Sequence, residues 1–244
     1  KILPANLKNN NFDEILNSNI FWFGLFIKII FAITLSSSFT TELFMPFINY
    51  FIESGFQNPY EYFVGINKSN AFPYPSAMLY ILSLPMAILS PLVDLSNISF
   101  LTLFLIKTPV FFADFLILVV LVKLIKKNTK KILILYWLSP VLIYINYIHG
   151  QLDVIPIAIL FTSLYFTFKK KFYFSSIFLA LAIACKTSIL LVLPFYLVYL
   201  IYSKNISTKK FIVNISLIFL CFLVINIFYI TNIDFLQMVF NNKE

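Results

Sequence analysis

The sequence has no arginine, one histidine, two cysteines and four glycines, and only 11% of its residues are charged. Soluble globular domains carry about 25% charged residues, so this shortage excludes an ordinary water-soluble domain. Because the few glycines form no glycine-rich motif, there is no phosphate-binding loop for a soluble nucleotide. Cys185 and Cys221 have neither metal-ligand nor redox spacing, and one histidine is too few for a typical zinc site.

What the sequence does contain is apolar: 61% of its 244 residues are hydrophobic and 19% are aromatic. Apolar runs near the roughly 20 residues that a helix needs to cross a bilayer recur along most of the chain. We therefore predict one all-α domain over residues 1–244, a polytopic transmembrane bundle with about seven or eight membrane segments. The predicted segments are 20–38, 75–93, 98–125, 132–148, 152–168, 172–185, 187–203 and 211–231.

The net charge of +8 comes largely from lysines that cluster beside apolar segments, at Lys123–Lys131, Lys169–Lys171 and Lys204–Lys210. Lysine clusters that flank membrane segments hold loops on the cytoplasmic face and need no acidic partner beyond anionic membrane lipid. We therefore expect membrane lipid, and no nucleic acid, beside these charges. The expected location is the cell membrane of a prokaryote, or the endoplasmic reticulum membrane in a eukaryote.

A long connection over residues 39–74 carries three glutamates and one lysine. Its acidic character predicts that it lies on the outer face, as a long first outer loop with a short amphipathic helix over Phe44–Ile52. Loops of this length are usually functional.

The lysine clusters are separated by pairs of segments and therefore share one side of the membrane. This count places residues 149–153 and Lys186 together on the outer side. The segments 75–93 and 98–125 do not fit this count. If both crossed the membrane, the chain would return to the outer side just before Lys126, whereas the lysine clusters are expected on the cytoplasmic side. Prolines in these segments can break a helix, and a re-entrant stretch there would restore the parity.

The stretch NYIHGQLDVIPIAILF at 146–161 places polar groups between two apolar segments. A charged side chain at the bilayer centre costs roughly 2.5–3.5 kcal/mol on insertion scales, so His149, Gln151 and Asp153 are expected to line a wet cavity or a substrate site. The break at Gly150 and three polar side chains within five residues favour recognition of a polar ligand. Plain helix packing remains the alternative.

Four further ionisable residues have more than one interpretation. Lys107 and Asp114 lie on one helical face, about 10 Å apart along its axis, so they cannot pair directly. Either Lys107 snorkels and Asp114 bonds a neighbouring helix, or both face an internal polar site. Lys186, between two apolar runs, is an interfacial anchor or a phosphate binder. Glu42 follows the first segment and is a solvated charge or a general base.

Five pieces of the sequence occur in an order that is typical of one group of membrane enzymes. They are TTEL with GFQNPYEYF, then FPYPSAMLY, FLIKTPVFFADFLI, YWLSPVLIYINYIHGQLDVIPIAI and LALAIACKTSILLVLP. In turn, they resemble an acidic outer loop with a G-x-x-PY element, a Y-x-P stretch, a basic-residue helix, a W-L-x-P segment before a short polar motif, and a lysine-bearing segment. The chain thus resembles, over about residues 39–200, the polyprenyl-phosphate-sugar-dependent glycosyltransferases of the GT-C superfamily. The most similar branch contains the GPI first mannosyltransferase and the glucosyltransferases of N-glycan precursor assembly.

The resemblance implies a GT-C-like hexosyltransferase, such as a mannosyl- or glucosyltransferase. Such an enzyme moves a sugar, with inversion, from a polyprenyl-phosphate-linked donor to the hydroxyl of a lipid- or protein-linked acceptor on the extracytoplasmic face. It implies Glu42 as the general base and Lys186, with Lys107, as the groups that stabilise the leaving phosphate. The other implied substrate-binding residues are His149, Gln151, Asp153, Asp114, Tyr60 and Tyr74.

The sequence departs from the family in its acidic loop, where an Asp or an Asp-x-Asp pair is usual and TTEL stands here. Either Glu42 substitutes for that residue or the catalytic carboxylate is Glu53 or Glu61. No cofactor is required, and a divalent cation is compatible with the loop carboxylates although their spacing does not demand one. Family members are longer, so the chain is expected to be a fragment or a minimal version.

Other functions remain open at this level. A transporter or lipid flippase would use Lys107, Asp114 and Asp153 as intramembrane sites, but the sequence shows no inverted repeat. A membrane acyltransferase would use His149 as its base, paired with another polar residue. A subunit without chemistry would tolerate changes of Glu42 or His149.

Overall fold

The computed structural model describes residues 10–125, 128–203 and 206–240, and within these ranges the secondary structure is helical, without strands. The α-helices are α1 (Asn10–Leu16), α2 (Asn19–Thr34), α3 (Met45–Glu53), α4 (Pro59–Gly65), α5 (Ser76–Leu89), α6 (Phe100–Ile125), α7 (Thr129–Ile132), α8 (Pro140–Ile143), α9 (Val154–Phe168), α10 (Phe172–Cys185), α11 (Leu193–Tyr202), α12 (Thr208–Asn226) and α13 (Ile233–Phe240). Three π-helical segments, Phe39–Phe44, Leu133–Trp137 and Tyr144–His149, and a 3₁₀ segment, Thr187–Val192, join them.

Two of the described helices, α6 and α12, are long and apolar enough to cross a membrane. Two bent pairs raise the number to four if each pair is one span: Asn19–Thr34 with Phe39–Glu53, bent by 60°, and Thr129–Trp137 with Pro140–His149, bent by 47°. Helices α5, α9 and α10 and the stretch Thr187–Tyr202 are apolar but shorter. The all-α class and the apolar helices of a membrane protein are confirmed, while seven or eight crossings stay a prediction.

The bends follow from local chemistry. Pro140 starts α8, and the residue before it, Ser139, has ψ 117°, because a proline ring disfavours the helical conformation of its predecessor. The predicted single segment 132–148 is therefore broken. The predicted segment 20–38 ends early, at Thr34, because Leu35 is extended and serines follow it, whose side chains compete with helical hydrogen bonds.

Helix α6 runs antiparallel to α2, and this direction removes the conflict in the count of membrane crossings between the acidic loop and Lys126. Near the start of α6, the Lys107 ammonium donates to the carbonyl of Ala32, at the end of α2, at 3.2 Å. Towards the other end of α6, Leu118 packs in one cluster with Phe21 at the start of α2. The intervening residues 35–99 therefore return to the end from which they started, in agreement with a re-entrant stretch. Helix α5 has 14 residues, about 21 Å, which is shorter than the roughly 30 Å hydrocarbon core.

The outer loop is folded rather than extended. The predicted amphipathic helix is present as α3, and its buried Phe47 stacks on Phe72 at 4.7 Å between ring centroids. Helix α4 packs against α13 through Tyr60 and Phe235, whose centroids are 4.9 Å apart. This aromatic cluster fixes the residues that lead into α5.

Candidate functional site

A sharp turn at Gly150 carries the HGQLD motif. The backbone of Gly150 has φ +76°, and a Cβ atom there would lie 2.2 Å from Oγ1 of Thr40, so both conformation and space require glycine. The hydroxyl of Ser37 donates to the carbonyl of His149. These contacts hold the HGQLD turn against the π-helical segment that contains Glu42.

This turn gives a testable prediction. Gly150→Ala is expected to lower the melting temperature of the purified protein in detergent, because the left-handed backbone costs about 1–2 kcal/mol with a side chain and the new methyl group displaces Thr40. Gly55→Ala is the matched control, since Gly55 also has positive φ, +73°, but no atom within 4 Å of the added Cβ. Equal losses in the two variants would contradict the close approach to Thr40.

Asp153 and Lys186, which were predicted on the same side of the membrane, are in contact. Asp153 immediately precedes α9, Lys186 immediately follows α10, and the two side chains form an ion pair with exposed fractions of 38% and 32%. A carboxylate at a helix N-terminus and an ammonium at a helix C-terminus are each stabilised by the helix dipole. A partly exposed ion pair contributes little to stability, about 0–1 kcal/mol, so both charges remain available to a ligand.

Tyr74 connects this ion pair to the segment of Glu42. The Lys186 ammonium lies 5.9 Å from the ring centroid of Tyr74, and the same ring packs edge-on against Phe44 at 5.8 Å. Phe44 ends the π-helical segment in which Glu42 is exposed. Glu42, the HGQLD turn and Lys186 therefore lie at one end of the bundle. Their roles in chemistry stay predictions.

Tyr60 has a different position from the one predicted. It is fully buried in the aromatic cluster of the outer loop, and burial raises the pKa of its phenol well above the ordinary value. The hydroxyl therefore stays protonated and donates to the carbonyl of Tyr74 at 2.9 Å. Tyr60 positions Tyr74 and does not itself reach the exposed ion pair.

His149 is held by aromatic rings. Its imidazole stacks on Phe39 at 5.5 Å and lies 6.1 Å from the ring of Tyr144. Its Nδ1 atom is buried and has no hydrogen-bond partner within the described residues. An acyltransferase base would need a polar partner to orient it, so this geometry does not favour that function.

A cavity of about 330 Å³ extends inward from the motif between α6, α9 and the π-helical segments. Gln151 and Asp153 line it together with Asn146, which is 3% exposed and whose Nδ2 atom has no partner among the described residues. A buried amide donor without a partner costs free energy, which indicates that a ligand or water completes it. Sequence reasoning did not single out Asn146, although it begins the same polar motif.

A second cavity, of about 360 Å³, lies between α10, α11 and α12. Its lining is almost wholly apolar and includes Thr187, the residue after Lys186. Asp153 thus lines the first cavity, and Thr187, the residue after Lys186, lines the second; both cavities are largely apolar.

Asp114 belongs to a buried network rather than to this site. Its carboxylate pairs with Lys28 at 2.7 Å and accepts hydrogen bonds from the hydroxyls of Tyr136 at 2.7 Å and Tyr147 at 2.8 Å. The Lys28 ammonium also lies 3.2 Å from the ring centroid of Trp137, a cation–π contact. Sequence reasoning missed Lys28, although a lysine inside FWFGLFIKIIFAIT requires a buried anion as much as Asp114 requires a cation.

Lys107 is also buried, and it bonds to backbone carbonyls. It is 3% exposed, and its ammonium donates to the carbonyls of Ala32, Leu35 and Tyr147. The expectation that Lys107 snorkels to the surface is wrong, while the expectation that Asp114 bonds neighbouring helices is confirmed. Since partners surround both charges, we place neither residue in the substrate-binding group.

Within the described ranges, no group of three or more His, Cys, Asp and Glu side chains is placed to hold a metal ion. Comparisons with protein-family models, curated proteins and solved structures find no match to this chain. The resemblance of its sequence to the GT-C superfamily therefore stays a prediction.

Proposed function

We propose that the protein is a membrane glycosyltransferase that moves a sugar from a polyprenyl-phosphate-linked donor to an acceptor hydroxyl on the extracytoplasmic face. One observation carries the proposal: the Lys186–Asp153 ion pair is partly exposed, Asp153 lines one largely apolar cavity, and Thr187, the residue after Lys186, lines another. A substrate with a charged phosphate and a long apolar chain needs such a combination, because the phosphate requires a cation and the chain requires an apolar surface.

The reaction assigns one role to each charged group. The Glu42 carboxylate takes the proton of the acceptor hydroxyl, and the acceptor oxygen bonds to the anomeric carbon as the bond from that carbon to the phosphate oxygen breaks. The polyprenyl phosphate leaves with the bonding electrons, and the Lys186 ammonium stabilises its charge. Attack opposite the leaving phosphate inverts the anomeric configuration.

The HGQLD turn supplies the polar contacts to the sugar. Gln151 is exposed and Asp153 is partly exposed. The Gln151 amide can donate hydrogen bonds to sugar hydroxyls or accept them, and the Asp153 carboxylate can accept them. Nδ2 of Asn146 and Nδ1 of His149, which have no hydrogen-bond partner among the described residues, are further polar atoms of the same motif. Buried polar atoms that only the correct ligand satisfies are a strong source of specificity.

A transporter would use Lys107, Asp114 and Asp153 as intramembrane substrate or proton sites. The Lys107 ammonium is bonded to backbone carbonyls and Asp114 is bonded to Lys28 and two tyrosines, whereas Asp153 is partly exposed. Neither Lys107 nor Asp114 is free to exchange ligands without breaking the packing of the helices.

The proposal is tested by transfer from a radiolabelled polyprenyl-phosphate sugar to acceptors extracted from membranes, with a nucleotide sugar as the comparison donor. Lys186→Ala is expected to lower the rate about 10²–10³-fold, as does removal of one group that stabilises developing charge. Asp153→Asn is the matched variant: it breaks the same ion pair and keeps the ammonium, so we expect a smaller loss.

Equal losses in the two variants, with equal losses of melting temperature, would show that the ion pair is only structural. Absence of transfer from every lipid-linked donor, with the natural protein folded, would overturn the proposed function.

A further inference from the structure

A cavity of about 490 Å³ lies at the opposite end of α10 from Lys186. We name it the lysine pocket; its lining residues are Lys170, Lys171, Phe172, Tyr173, Phe174, Lys210 and Asn214. Helix α10 has 14 residues, so about 21 Å of helix separates this pocket from the Lys186–Asp153 ion pair. The lysine pocket is therefore a separate site from the one assigned to sugar transfer.

The lysines of the pocket form no ion pair within the part of the chain that the structure describes. Between Asp153 and Asp234 the sequence has seven lysines and no acidic residue. The two ion pairs found among the described residues are Lys28–Asp114 and Lys186–Asp153, so neither uses a lysine of the pocket. Like charges that converge on one cavity raise the local concentration of anions.

Buried hydrogen bonds hold one wall of the lysine pocket. Asn214 is 1% exposed; it accepts a hydrogen bond from the hydroxyl of Ser176 at 2.8 Å and donates to the carbonyl of Lys210 at 2.7 Å. The Ser176 bond joins α10 to α12, and the Lys210 bond lies within α12. The cavity is thus held by buried contacts, although its lysine side chains are exposed.

Lys170 has a backbone that favours glycine. Its φ is +59°, and the amides of Lys170 and Lys171 donate to the carbonyls of Thr167 and Phe166, each at 2.9 Å. This is the bond pattern of a Schellman motif, whose left-handed residue is usually glycine. A lysine therefore occupies a position where the left-handed backbone alone would favour glycine.

The surroundings of the lysine pocket indicate a lipid rather than a soluble ion. Tyr173 and Phe174 line the pocket and are 45% and 55% exposed, and the neighbouring Phe168 is 64% exposed. Aromatic side chains gather at the depth of lipid headgroups, where lysines attract anionic lipid. A soluble phosphate would make no use of these exposed rings.

We propose that the lysine pocket binds the phosphate of an anionic phospholipid, with Lys170, Lys171 and Lys210 around the phosphate and the exposed aromatic rings against the glycerol and acyl chains. This inference does not depend on the glycosyltransferase proposal. A lysine cluster that only orients the chain in the membrane needs positive charge on one side of the membrane. A lipid-binding site also needs its lysines to line one cavity.

The test uses the full chain in neutral detergent and measures binding of phosphatidylglycerol by native mass spectrometry, with phosphatidylcholine and inorganic phosphate as the other probes. The triple variant Lys170→Gln, Lys171→Gln, Lys210→Gln is expected to bind phosphatidylglycerol roughly tenfold more weakly or worse. The matched control removes three exposed lysines from another cluster, Lys123→Gln, Lys130→Gln, Lys131→Gln, and is expected to change the affinity less than about twofold.

Equal weakening in the two triple variants would overturn the site in favour of net charge alone. Phosphatidylcholine that binds as tightly as phosphatidylglycerol would overturn the anionic specificity, and inorganic phosphate that displaces the lipid completely at low millimolar concentration would overturn the lipid as the source.

A single variant keeps the test valid if the triple variant does not fold. Lys170→Gly removes one charge and relaxes the left-handed backbone, so the melting temperature without lipid is expected to stay the same or rise while the affinity for phosphatidylglycerol falls. Unchanged affinity in Lys170→Gly would contradict the proposed contact.

Discussion

Glu42→Gln is expected to lower the rate of sugar transfer about 10²–10⁴-fold, the contribution typical of a general base. Glutamine has the same shape but cannot take the proton of the acceptor hydroxyl. Because Glu42 is exposed and lies in a short π-helical segment, we expect the melting temperature to stay unchanged. The measurement is the initial rate with saturating lipid-linked donor, so that weaker donor binding does not enter the result.

The acidic outer loop provides two matched controls. Glu53 and Glu61 are also exposed, and Glu53→Gln and Glu61→Gln are expected to leave the rate within about twofold, since surface changes away from a site are usually small. A large loss in either control with normal activity of Glu42→Gln would move the base to that residue. No loss in any of the three variants would remove the outer loop from the chemistry.

Asp114→Ala is expected to destabilise the protein by about 3–5 kcal/mol, the range for breaking a buried ion pair by removing one partner. The variant would leave the Lys28 ammonium 1% exposed without its anion and would remove the acceptor of two tyrosine hydroxyls. The measurement is the free energy of unfolding by denaturant in detergent.

Removal of both charges distinguishes packing from function. The double variant Lys28→Met, Asp114→Leu is expected to recover most of the stability lost in Asp114→Ala, because apolar residues of similar volume often replace a buried ion pair at little cost. Recovery of both stability and sugar transfer would confirm a structural role. Recovery of stability without transfer would instead return Asp114 to the substrate-binding group.

The positions of many helices depend on the local sequence and could therefore be predicted from it. Helix α10 was predicted at 172–185 and has these bounds, because its apolar run is limited by three lysines before it and by Lys186 after it. The short amphipathic helix predicted over Phe44–Ile52 is also present, as α3. The segment 187–203 was predicted as one helix and is wrong in its first turns, where a 3₁₀ segment precedes Pro194.

The candidate site was predicted in part. The parity of the lysine clusters placed Asp153 and Lys186 on one side, and the structure brings them into contact. The resemblance to the glycosyltransferases also placed Lys107 and Asp114 in the site, and the structure places both in buried contacts instead. A pattern in one segment cannot show which charge on another segment meets it. The two ends of the Lys28–Asp114 pair are 86 residues apart, and no local signal connects them.

By itself, the sequence determined that the chain is helical and apolar, where most helices lie, and which end of the bundle carries its exposed lysines. These properties depend on composition and on short-range periodicity, which each segment carries alone. Only the tertiary structure decided that Asp114 is neutralised by Lys28, that Thr40 meets Gly150, and that Tyr74 lies between Lys186 and Phe44. Such contacts depend on how helices pack across long separations in the chain, and the partner of a buried charge is fixed only when the packing is complete.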